Sequence, residues 1–564
     1  MIKRFLILAL LLIAVPCWGA TYNFYFSSEA QGNPVGTDNP VALTDCVGPV
    51  GVTAGTCETL ADAQAMIELV RLDSSAHVVN LYFDRGDTWS YDTGTLEDGD
   101  EVFYVENGDP QVHINAYGSG GDPIFDGLET DFTATNASNC GVAAPCSYSV
   151  FFRFAKQNCS IQNVEIKRVY GKVIVVGGGS DPFYDADGFI LRNSYIHDFG
   201  SDAISIKSQV GAENITVEYN VIHSGQRLRL EGGKSSTSWG AGINLESANH
   251  GSSSMCKDNI IKYNLVYDIS GEGINAPNST TMYNVVGDTY SIAIGTSAHD
   301  YDTLTAVVAY NLILGSSAGT YGRATAIRVY DEAAGGDNSA ADISVYGNII
   351  INRNYGLRAY CSADCDPYGS VKFYNNTVID SLTESFRIKD VAAFPTLAFY
   401  NNISVFYDNA SDNIPHRLTD SDDTSGWSIS NNLYYATSGT HTIDDDFQNN
   451  YVTTDPTLPG NAALDFGALA SVAYAAGVVS IPVDYTTQLY PVTGDTIQGG
   501  YDHAFEQTFL TTGTDFENVL NGSSAFTEAE QHLTLQDIGS WARGTSEPVP
   551  TYPLQGVAGN FKYN

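Results

Sequence analysis

Basic residues are scarce in this sequence: it has 26 lysines and arginines against 65 acidic residues, a formal net charge of −39. Nucleic acids and anionic membrane surfaces attract proteins of the opposite charge, so this balance argues against both as partners. Beyond the N-terminus the chain also lacks an apolar run of the ~20 residues that a membrane span needs. Segments that favour helix are few, whereas 54 glycines and 35 tyrosines fit turn-rich β structure.

The N-terminus has the pattern of a secretion signal. Lys3 and Arg4 form a basic head, residues 5–15 form an apolar stretch, and Cys17-Trp18-Gly19 resembles a small-x-small cleavage site. We expect cleavage after Gly19. The mature chain is then predicted to be soluble and exported, to the periplasm or the extracellular space.

One short pattern repeats between about residues 189 and 433: a few alternating apolar residues, an Asn, an apolar pair, a turn and a second short strand. The gaps between successive Asn residues range from 20 to 44, which is typical of a solenoid with insertions. Because the units have strand periodicity, the solenoid is predicted to be a stack of β-coils. The Asn side chains would bond from rung to rung at one corner. They are Asn220, Asn264, Asn284, Asn311, Asn348, Asn376, Asn402 and Asn432, with Asn163 at the front and Ser194 in the same slot.

The repeat also predicts the division of the chain. Residues 20–74 are expected to be a lead-in with one helix, 75–445 the coils, and 446–564 a C-terminal cap and tail. The helix is predicted over 59–72, where Thr59 and Asp62 resemble a capping box and the apolar residues share one face. A solenoid exposes its apolar end, so we interpret this helix as its N-terminal cap.

Eight cysteines remain after the predicted cleavage, and an even number in an exported chain favours disulfides. Three pairs are close in sequence, and two cysteines would lie several coils apart and stay unassigned. The pairs are Cys46–Cys57, Cys140–Cys146 and Cys361–Cys365, and the unassigned residues are Cys159 and Cys256.

The phrase of Asn, apolar pair, turn and Gly-x-apolar-x-apolar resembles the right-handed parallel β-helix repeat proteins. That superfamily includes pectate lyases, polygalacturonases, alginate lyases and chondroitinase B. The resemblance covers about residues 75–445 and implies an all-β, right-handed parallel β-helix of about ten to twelve coils. A shared fold does not fix a function.

The strands after the Asn corner can be aligned by their apolar pairs, as in AIRVY (326–330), GLRAY (356–360) and SFRIK (385–389). Alternation directs the apolar residues inward and the residues between them outward. Three arginines thereby share one slot on successive rungs, with tyrosines and a lysine beside them. The outward residues are Ser205, Lys207, Asn244, Glu246, Asn275, Arg328, Tyr330, Arg358, Tyr360, Arg387 and Lys389.

Stacked arginines ~4.8 Å apart repel one another unless negative charge compensates them. One interpretation is an internal ionic ladder with Asp331, Glu332, Glu384 and Asp390. The other is a basic strip for a linear polyanion such as a uronic-acid polysaccharide, walled by the insertions at 226–240, 296–305, 315–324, 331–341 and 361–369. Arginine offers a planar fork to carboxylates, and tyrosine offers a ring face to sugars.

A uronic-acid polymer can be cut by β-elimination, which needs carboxylate neutralisation, a base and a proton donor. One face offers these groups through Arg328, Arg358, Tyr360 and Lys389. Lys389 or a tyrosine is the expected base, because an arginine side chain stays protonated and so is a poor proton acceptor. Tyr330, Arg387, Asn244, Glu246 and Asn275 are predicted to bind the substrate.

The phrase SDAISIKSQ resembles the lysine region of the alginate lyase and chondroitinase B family, which would make Lys207 the base. That family's two Ca²⁺-binding glutamates correspond here to Gly200 and Asp202, and its arginine slot holds Glu231. Lys207 would lie four rungs, roughly 19 Å, from Arg328. The two places therefore cannot form one catalytic cluster, though both could line one groove.

Two further interpretations stay open. Hydrolysis of the polygalacturonase type needs two carboxylates about 5–10 Å apart, and the paired aspartates of that family correspond to Ser201-Asp202. A surface protein that binds glycans without cutting them fits the same strip. In either case the partner is an anionic polysaccharide, and a monomer is expected.

Calcium is the one cofactor that the residues offer. Asp181, Asp185 and Asp187 could supply oxygen ligands to Ca²⁺, although a solvated turn explains the same spacing. His197 and His223 share one slot on successive coils and could share a metal or a proton, or form a corner stack of exposed rings. Glu272 is interpreted as a structural turn residue.

Overall fold

The computed structural model of the protein describes most of the chain between Ala20 and Ala436. The described ranges are 20–27, 57–96, 100–132, 149–177, 186–207, 212–228, 240–246, 258–287, 289–298, 305–314, 325–331, 342–351, 353–361, 370–379, 381, 383–389, 396–400, 402–406, 416–419, 427–430 and 432–436. The predicted signal peptide, most of the insertions and residues 437–564 lie outside these ranges.

Three long parallel sheets make up the structure, and each turn of the chain adds one strand to each sheet in order. The first sheet has 13 strands: β1 (Thr21–Phe26), β2 (Val78–Asp84), β5 (Gln111–Tyr117), β8 (Ser160–Gln162), β11 (Ile190–Arg192), β14 (Thr216–Glu218), β17 (Asn259–Lys262), β20 (Ser279–Met282), β23 (Thr305–Ala309), β26 (Asp342–Tyr346), β29 (Ser370–Tyr374), β32 (Leu397–Tyr400) and β35 (Ser428–Ser430). The second has 12: β3 (Thr88–Ser90), β6 (Ile124–Asp126), β9 (Glu165–Val169), β12 (Tyr195–Phe199), β15 (Val221–Gly225), β18 (Leu265–Ile269), β21 (Val285–Gly287), β24 (Leu312–Leu314), β27 (Ile349–Ile351), β30 (Thr377–Ile379), β33 (Ile403–Phe406) and β36 (Leu433–Ala436). The third has 11: β4 (Glu101–Val105), β7 (Val150–Phe154), β10 (Lys172–Gly177), β13 (Ile204–Lys207), β16 (Ala241–Glu246), β19 (Glu272–Asn275), β22 (Ile292–Ala298), β25 (Thr325–Asp331), β28 (Tyr355–Cys361), β31 (Glu384–Lys389) and β34 (His416–Thr419).

This arrangement is a parallel β-helix, and it confirms the predicted fold class. Strand β1 lies in the stretch that was expected to be a lead-in, where it pairs residue by residue with β2. The inward residues of each sheet stack on those of the next coil: Ile294, Ile327, Leu357 and Phe386 form one such row. All four are at most 2% exposed. Each contributes roughly 1.5–3 kcal/mol by leaving water.

The predicted ladder of asparagines lies at the corner between the first and second sheets. Each side-chain amide donates to the Oδ1 of the next Asn, at 2.9 Å from Asn220 to Asn264 and 3.2 Å from Asn402 to Asn432. The same Oδ1 also accepts the backbone N–H of the previous Asn, as between Asn264 and Asn284 at 2.9 Å. Every Asn from 220 to 432 in the series is at most 1% exposed. The ladder therefore satisfies polar groups that have no access to water.

The front of the ladder differs by one residue from the prediction. Ser194 lies in the ladder slot, and its N–H donates to Asn220 Oδ1 at 3.0 Å. Asn163 instead lies opposite Asn193, one residue before the slot. There its amide donates to Asn115 Oδ1 at 2.7 Å, so it belongs to a separate short row. The sequence pattern aligned Asn163 with the ladder because the two corner positions are adjacent and either can hold an Asn.

A row of tyrosines accompanies the ladder. Tyr219, Tyr263, Tyr283 and Tyr310 each precede a ladder Asn and have φ between 55° and 58°, a region that bulky residues rarely adopt. Their rings stack at 4.9, 5.2 and 5.3 Å from one coil to the next. The stacking and the neighbouring amide bonds hold this unusual backbone in place. The repeated Tyr-Asn pair in the sequence was the available sign of this row.

The helix α1 (Leu60–Asp73) has the predicted capping box, in which Asp62 N–H donates to Thr59 Oγ1 at 3.1 Å and Thr59 N–H donates to Asp62 Oδ2 at 2.9 Å. Its apolar residues Ala63, Ile67 and Val70 are fully buried in the core, and the helix contacts β2 and β4. Its role as the end cap stays a prediction. Within the described ranges no helix is long and apolar enough to cross a membrane.

The cysteines whose side chains are described divide into two kinds. Cys57 is in a disulfide, whose partner is not among those side chains. Cys159 is a free, fully buried thiol. The pairing of Cys57 with Cys46 and the other predicted pairs stay predictions, because Cys46, Cys140, Cys146, Cys256 and Cys365 lie outside the described residues, as does the Cys361 side chain.

Replacement of Asn284 by Ala should destabilise the fold. Asn284 donates to two backbone oxygens and to Asn311, and it accepts two hydrogen bonds from Asn264, so its loss leaves buried groups unpaired. We expect the free energy of unfolding to fall by about 1–3 kcal/mol or more, measured by chemical denaturation. Asp342→Asn, at an exposed position of β26, is the control and should leave the midpoint unchanged. Equal midpoints for both variants would contradict a stabilising ladder.

Candidate functional site

The predicted row of arginines exists on the outer face of the third sheet. Arg328, Arg358 and Arg387 lie directly opposite one another on β25, β28 and β31, and Arg417 of β34 follows in the same slot. Four arginine positions therefore lie in register over three rungs of ~4.8 Å each. We call these four positions the arginine column. Arg417 was missed because its strand HRLT lies beyond the last aligned phrase.

Arg328 reaches across a rung to a buried acid. Its Nη2 lies 3.2 Å from Glu272 Oε1, although one coil separates the two strands. The residue between them in the column is Gly295, which has no side chain to block the contact. The Arg328 guanidinium also lies 4.7 Å from the centre of the Tyr330 ring. Glu272 is thus an ion-pair partner rather than only the turn residue that was expected.

Tyr355, at the start of β28, lies between the next two arginines. The Arg358 and Arg387 guanidinium groups lie 5.1 and 5.6 Å from its ring centre. Arg387 Nη1 is 3.4 Å from Tyr355 Oη, and Arg387 Nε is 3.5 Å from Glu384 Oε2. Tyr355 was not predicted as a site residue, because it lies one position before the aligned phrase.

Both interpretations of the column find support. Glu384 was a predicted internal partner and does pair with Arg387, and Glu272 pairs with Arg328. The described arginines of the column and these two acids together carry three positive charges and two negative ones. The arginines are only partly buried, since 12% of the Arg328 side chain and 18% of the Arg387 side chain are exposed. Of the other expected partners, Glu332 and Asp390 lie outside the described residues, as does the Asp331 side chain.

Three predicted outward residues are less accessible than expected. Ser205, Asn244 and Asn275 occupy the same slot as the arginines on earlier coils. Ser205 is fully buried and Asn244 is 5% exposed, so the prediction that they face solvent was wrong. Lys172 explains part of this, because its Nζ lies over β13 at 3.1 Å from Ser205 Oγ. Asn275 donates to Asn244 Oδ1 at 3.2 Å.

Four predicted residues can be placed only by strand position. Lys207 lies opposite Glu246, and Tyr360 lies opposite Tyr330. Lys389 lies opposite Thr419 on β34. The side chains of Lys207, Glu246, Tyr360 and Lys389 lie outside the described residues. The sheet order β13-β16-β19-β22-β25 puts Lys207 four rungs from Arg328, so the two are not brought together.

Asp202 is already engaged by protein groups. Its Oδ2 lies 2.9 Å from the Lys172 ammonium, and its Oδ1 accepts the Ala241 N–H at 2.8 Å. Lys172 and Asp202 are 5% and 2% exposed. A buried lysine therefore supplies the positive charge at the position where the family resemblance left one candidate Ca²⁺ ligand.

The predicted aspartate ligands are mostly outside the described ranges. Asp181 and Asp185 lie there, and Asp187 accepts the Glu213 N–H on Oδ1 at 2.7 Å. No group of three metal-ligating side chains occurs among the residues that the structure describes. The Ca²⁺ site stays a prediction.

His197 and His223 do lie opposite each other, on β12 and β15, with rings stacked 5.2 Å apart. They are not the exposed pair that was expected. His197 has 14% of its side chain exposed and contacts two acids, Asp198 at 2.8 Å and Glu165 at 3.3 Å. His223 Nε2 lies 2.6 Å from Tyr195 Oη.

The two histidines have opposite pKa shifts. Burial lowers the pKa of His197, but hydrogen bonds and charges from Asp198 and Glu165 outweigh burial and raise it. Burial, followed by repulsion from His197, lowers the pKa of His223 to about 3. Burial raises the pKa of Asp198, but its contacts with His197 and the charge of Arg227 outweigh this and lower it. The cluster therefore balances its own charges.

Comparison with known proteins gives fold-level likeness only. No protein-family model and no curated protein matches the chain. It is similar to a GH136 lacto-N-biosidase from Eubacterium ramulus (12% identity, 77% of this chain and 68% of that one, TM-score 0.41). It is also similar to a mannuronic-acid-specific family 6 polysaccharide lyase from human gut microbiota (10%, 77% and 92%, 0.40). A third is the A-module of the Azotobacter vinelandii mannuronan C-5 epimerase AlgE6 (13%, 71% and 96%, 0.36). These values assign neither activity nor site residues.

The pKa of His223 predicts a loss of stability in acid. In the folded state the pKa of His223 is about 3, below the ordinary 6.5. Between these two pH values the unfolded state therefore binds a proton at His223 and the folded state does not. Stability attributable to His223 therefore falls as the pH falls from 6.5 towards 3. His223→Phe keeps a stacking ring and should flatten this part of the pH profile of the unfolding midpoint. An unchanged profile would show that another group controls it.

Proposed function

We propose that the protein is a secreted, carbohydrate-active enzyme that cleaves an anionic, uronic-acid polysaccharide by β-elimination. The observation that carries the proposal is the arginine column on the third sheet. A chain with a net charge of −39 has few positive groups, yet four arginine positions lie in one slot on successive rungs. Carboxylates presented at regular intervals along a polymer are the natural complement of such a column.

Two described side chains of the column are held in place before a ligand arrives. Arg328 is fixed by Glu272 and the Tyr330 ring, and Arg387 by Glu384 and Tyr355. Fixed side chains lose little conformational entropy on binding, which favours affinity. The acids also reduce the repulsion between stacked arginines, so the column can persist without a ligand.

β-Elimination fits this face better than hydrolysis does. An arginine would neutralise the sugar carboxylate, and Lys389, or Tyr360 beside the column, would take the C5 proton and assist the leaving oxygen. Hydrolysis needs two carboxyl groups, one free to act as general acid and the other as base or nucleophile. The two described acids nearest the column, Glu272 and Glu384, are in ion pairs with arginines. The alternative is a protein that binds glycans without cutting them, and the activity assay described below distinguishes the two.

Arg358→Ala should abolish turnover and weaken polysaccharide binding. Arg358 is the central described member of the column, so its loss interrupts the row of positive charges that would bind the carboxylates of the polymer. The measurement mixes the protein with alginate, pectate and chondroitin, with and without Ca²⁺. Absorbance of the unsaturated uronate product is followed, and binding is measured by calorimetry.

Arg192→Ala is the matched control, because it removes the same charge from the first sheet, where Arg192 contacts Glu218. Its turnover should equal that of the unmodified protein. Unchanged turnover in Arg358→Ala would reject the column as the active site. Binding without product on all three polymers would favour the glycan-binding alternative. Activity that EDTA removes and Ca²⁺ restores would support a calcium cofactor.

Separate lysine variants distinguish the two predicted bases. If Lys389 is the base, Lys389→Ala should lower kcat by about 10²–10⁴-fold. Lys207→Ala, four rungs away, should then change kcat little and affect only long substrates through KM. The comparison uses single-turnover rates on polymer and on short oligomers. The reverse pattern would move the catalytic centre to β13.

A further inference from the structure

The outer face of the second sheet changes character along the protein. In its early coils one outward slot holds Glu165 and Tyr195, and in later coils it holds Val221, Leu265 and Val285. The intervening inward residues, such as Ile222 and Val266, belong to the main core. The later outward residues are therefore apolar without being part of that core.

These outward residues are nevertheless shielded from water. Val221 and Val285 are fully buried, Leu265 is 2% exposed and Leu312 is 5% exposed. By strand position, this slot and the outward slot two residues later continue through mainly apolar residues, with Thr377 between Ile349 and Ile403. We call the apolar positions the outer apolar face: Val221, Leu265, Val285, Leu312, Ile349, Ile351, Ile379, Ile403, Val405 and Leu433, of which the last six have side chains outside the described residues. A layer of other chain must cover its described part.

Helix α1 is not that layer, because it contacts β2 and β4 near the other end of the protein. The two long internal stretches that flank this part of the coils are mostly polar, EGGKSSTSW (231–239) and GSSAGTYGRA (315–324), and the apolar VAAFP (391–395) has only five residues. The apolar run at residues 5–15 belongs to the predicted signal peptide. None of these has the composition to cover eight rungs of apolar surface.

We propose that the C-terminal segment, residues 437–564, covers the outer apolar face through its apolar stretch Gly467–Val483. This stretch reads GALASVAYAAGVVSIPV, with 17 residues and no charge. The segment starts directly after Ala436, which ends β36, the last strand of the same sheet. The last described strand thus lies at the edge of the surface that needs a cover.

The lengths agree with this placement. From β15 to β36 the face spans eight strands, or seven intervals of ~4.8 Å, about 34 Å in all. An extended 17-residue stretch reaches up to about 56 Å, and a helical one about 26 Å, so either form covers most of the face. The 30 residues between Ala436 and Gly467 are enough to return along it. The segment is then a lateral cover for the coils in addition to any capping of their end.

The test measures accessibility at the face in the full chain. Val285→Cys places a thiol on the face, and the one free cysteine among the described side chains, Cys159, is fully buried. We expect slow reaction with a thiol reagent. Adding Val478→Asp and Val479→Asp in the proposed cover should speed the reaction at least about tenfold, because opening free energies set such rates. Thr280→Cys, partly exposed on the first sheet of the same coil, is the control and should react at one rate in both backgrounds.

A reciprocal measurement keeps the test independent of a single variant. Val285→Asp should raise hydrogen exchange within residues 467–483, whereas Thr280→Asp should not. An unprotected thiol at Val285→Cys, or protection that the double variant leaves unchanged, would overturn the proposal. If protection of the Val285→Cys thiol disappears on dilution and light scattering shows a dimer, a second copy of the chain covers the face. That result would overturn the proposal as well.

Discussion

Hydrogen bonds between asparagine side chains at one corner determine how the rest of this protein is organised. Each ladder Asn binds the backbone N–H and side-chain amide of its neighbour, so it fixes the relative position of two coils to within one residue. A slip by one residue would reverse every inward and outward side chain. The inner rows, the tyrosine row and the arginine column all depend on this register.

The corner also explains where variation is tolerated. Successive ladder residues are separated by 20 to 44 residues, yet the three sheets keep their pairing. The extra residues lie in the connections, which the ladder does not constrain. Loop-closure cost rises slowly with length, so long insertions are affordable in such connections. The third sheet, with long connections on its borders, is consequently the face whose surroundings can change most.

Period-2 alternation and the repeated Asn predicted the fold and the register of the arginines, because both follow from local sequence. The same reasoning failed where contacts cross coils. Nothing local to Asp202 predicts that Lys172, one coil earlier, would bind its carboxylate. The pairing of Glu272 with Arg328 depends on an intervening glycine, and the burial of Ser205 and Asn244 depends on what lies over the sheet. Contacts between side chains of different coils can be predicted only when the relative positions of the coils are known.

The outward slot of the third sheet has amides at Asn244 and Asn275, Gly295 after them, and arginines from β25 onward. From β19 to β34 a polymer lying along this slot would meet the partly buried amide of Asn275 at one end and cations at the other, whereas Arg153 on β7, in the same slot, lies beyond the buried Val175 and Ser205. Such a surface is not equivalent under reversal of the polymer. If both halves contact one linear ligand, they fix which of its ends points towards the helix α1.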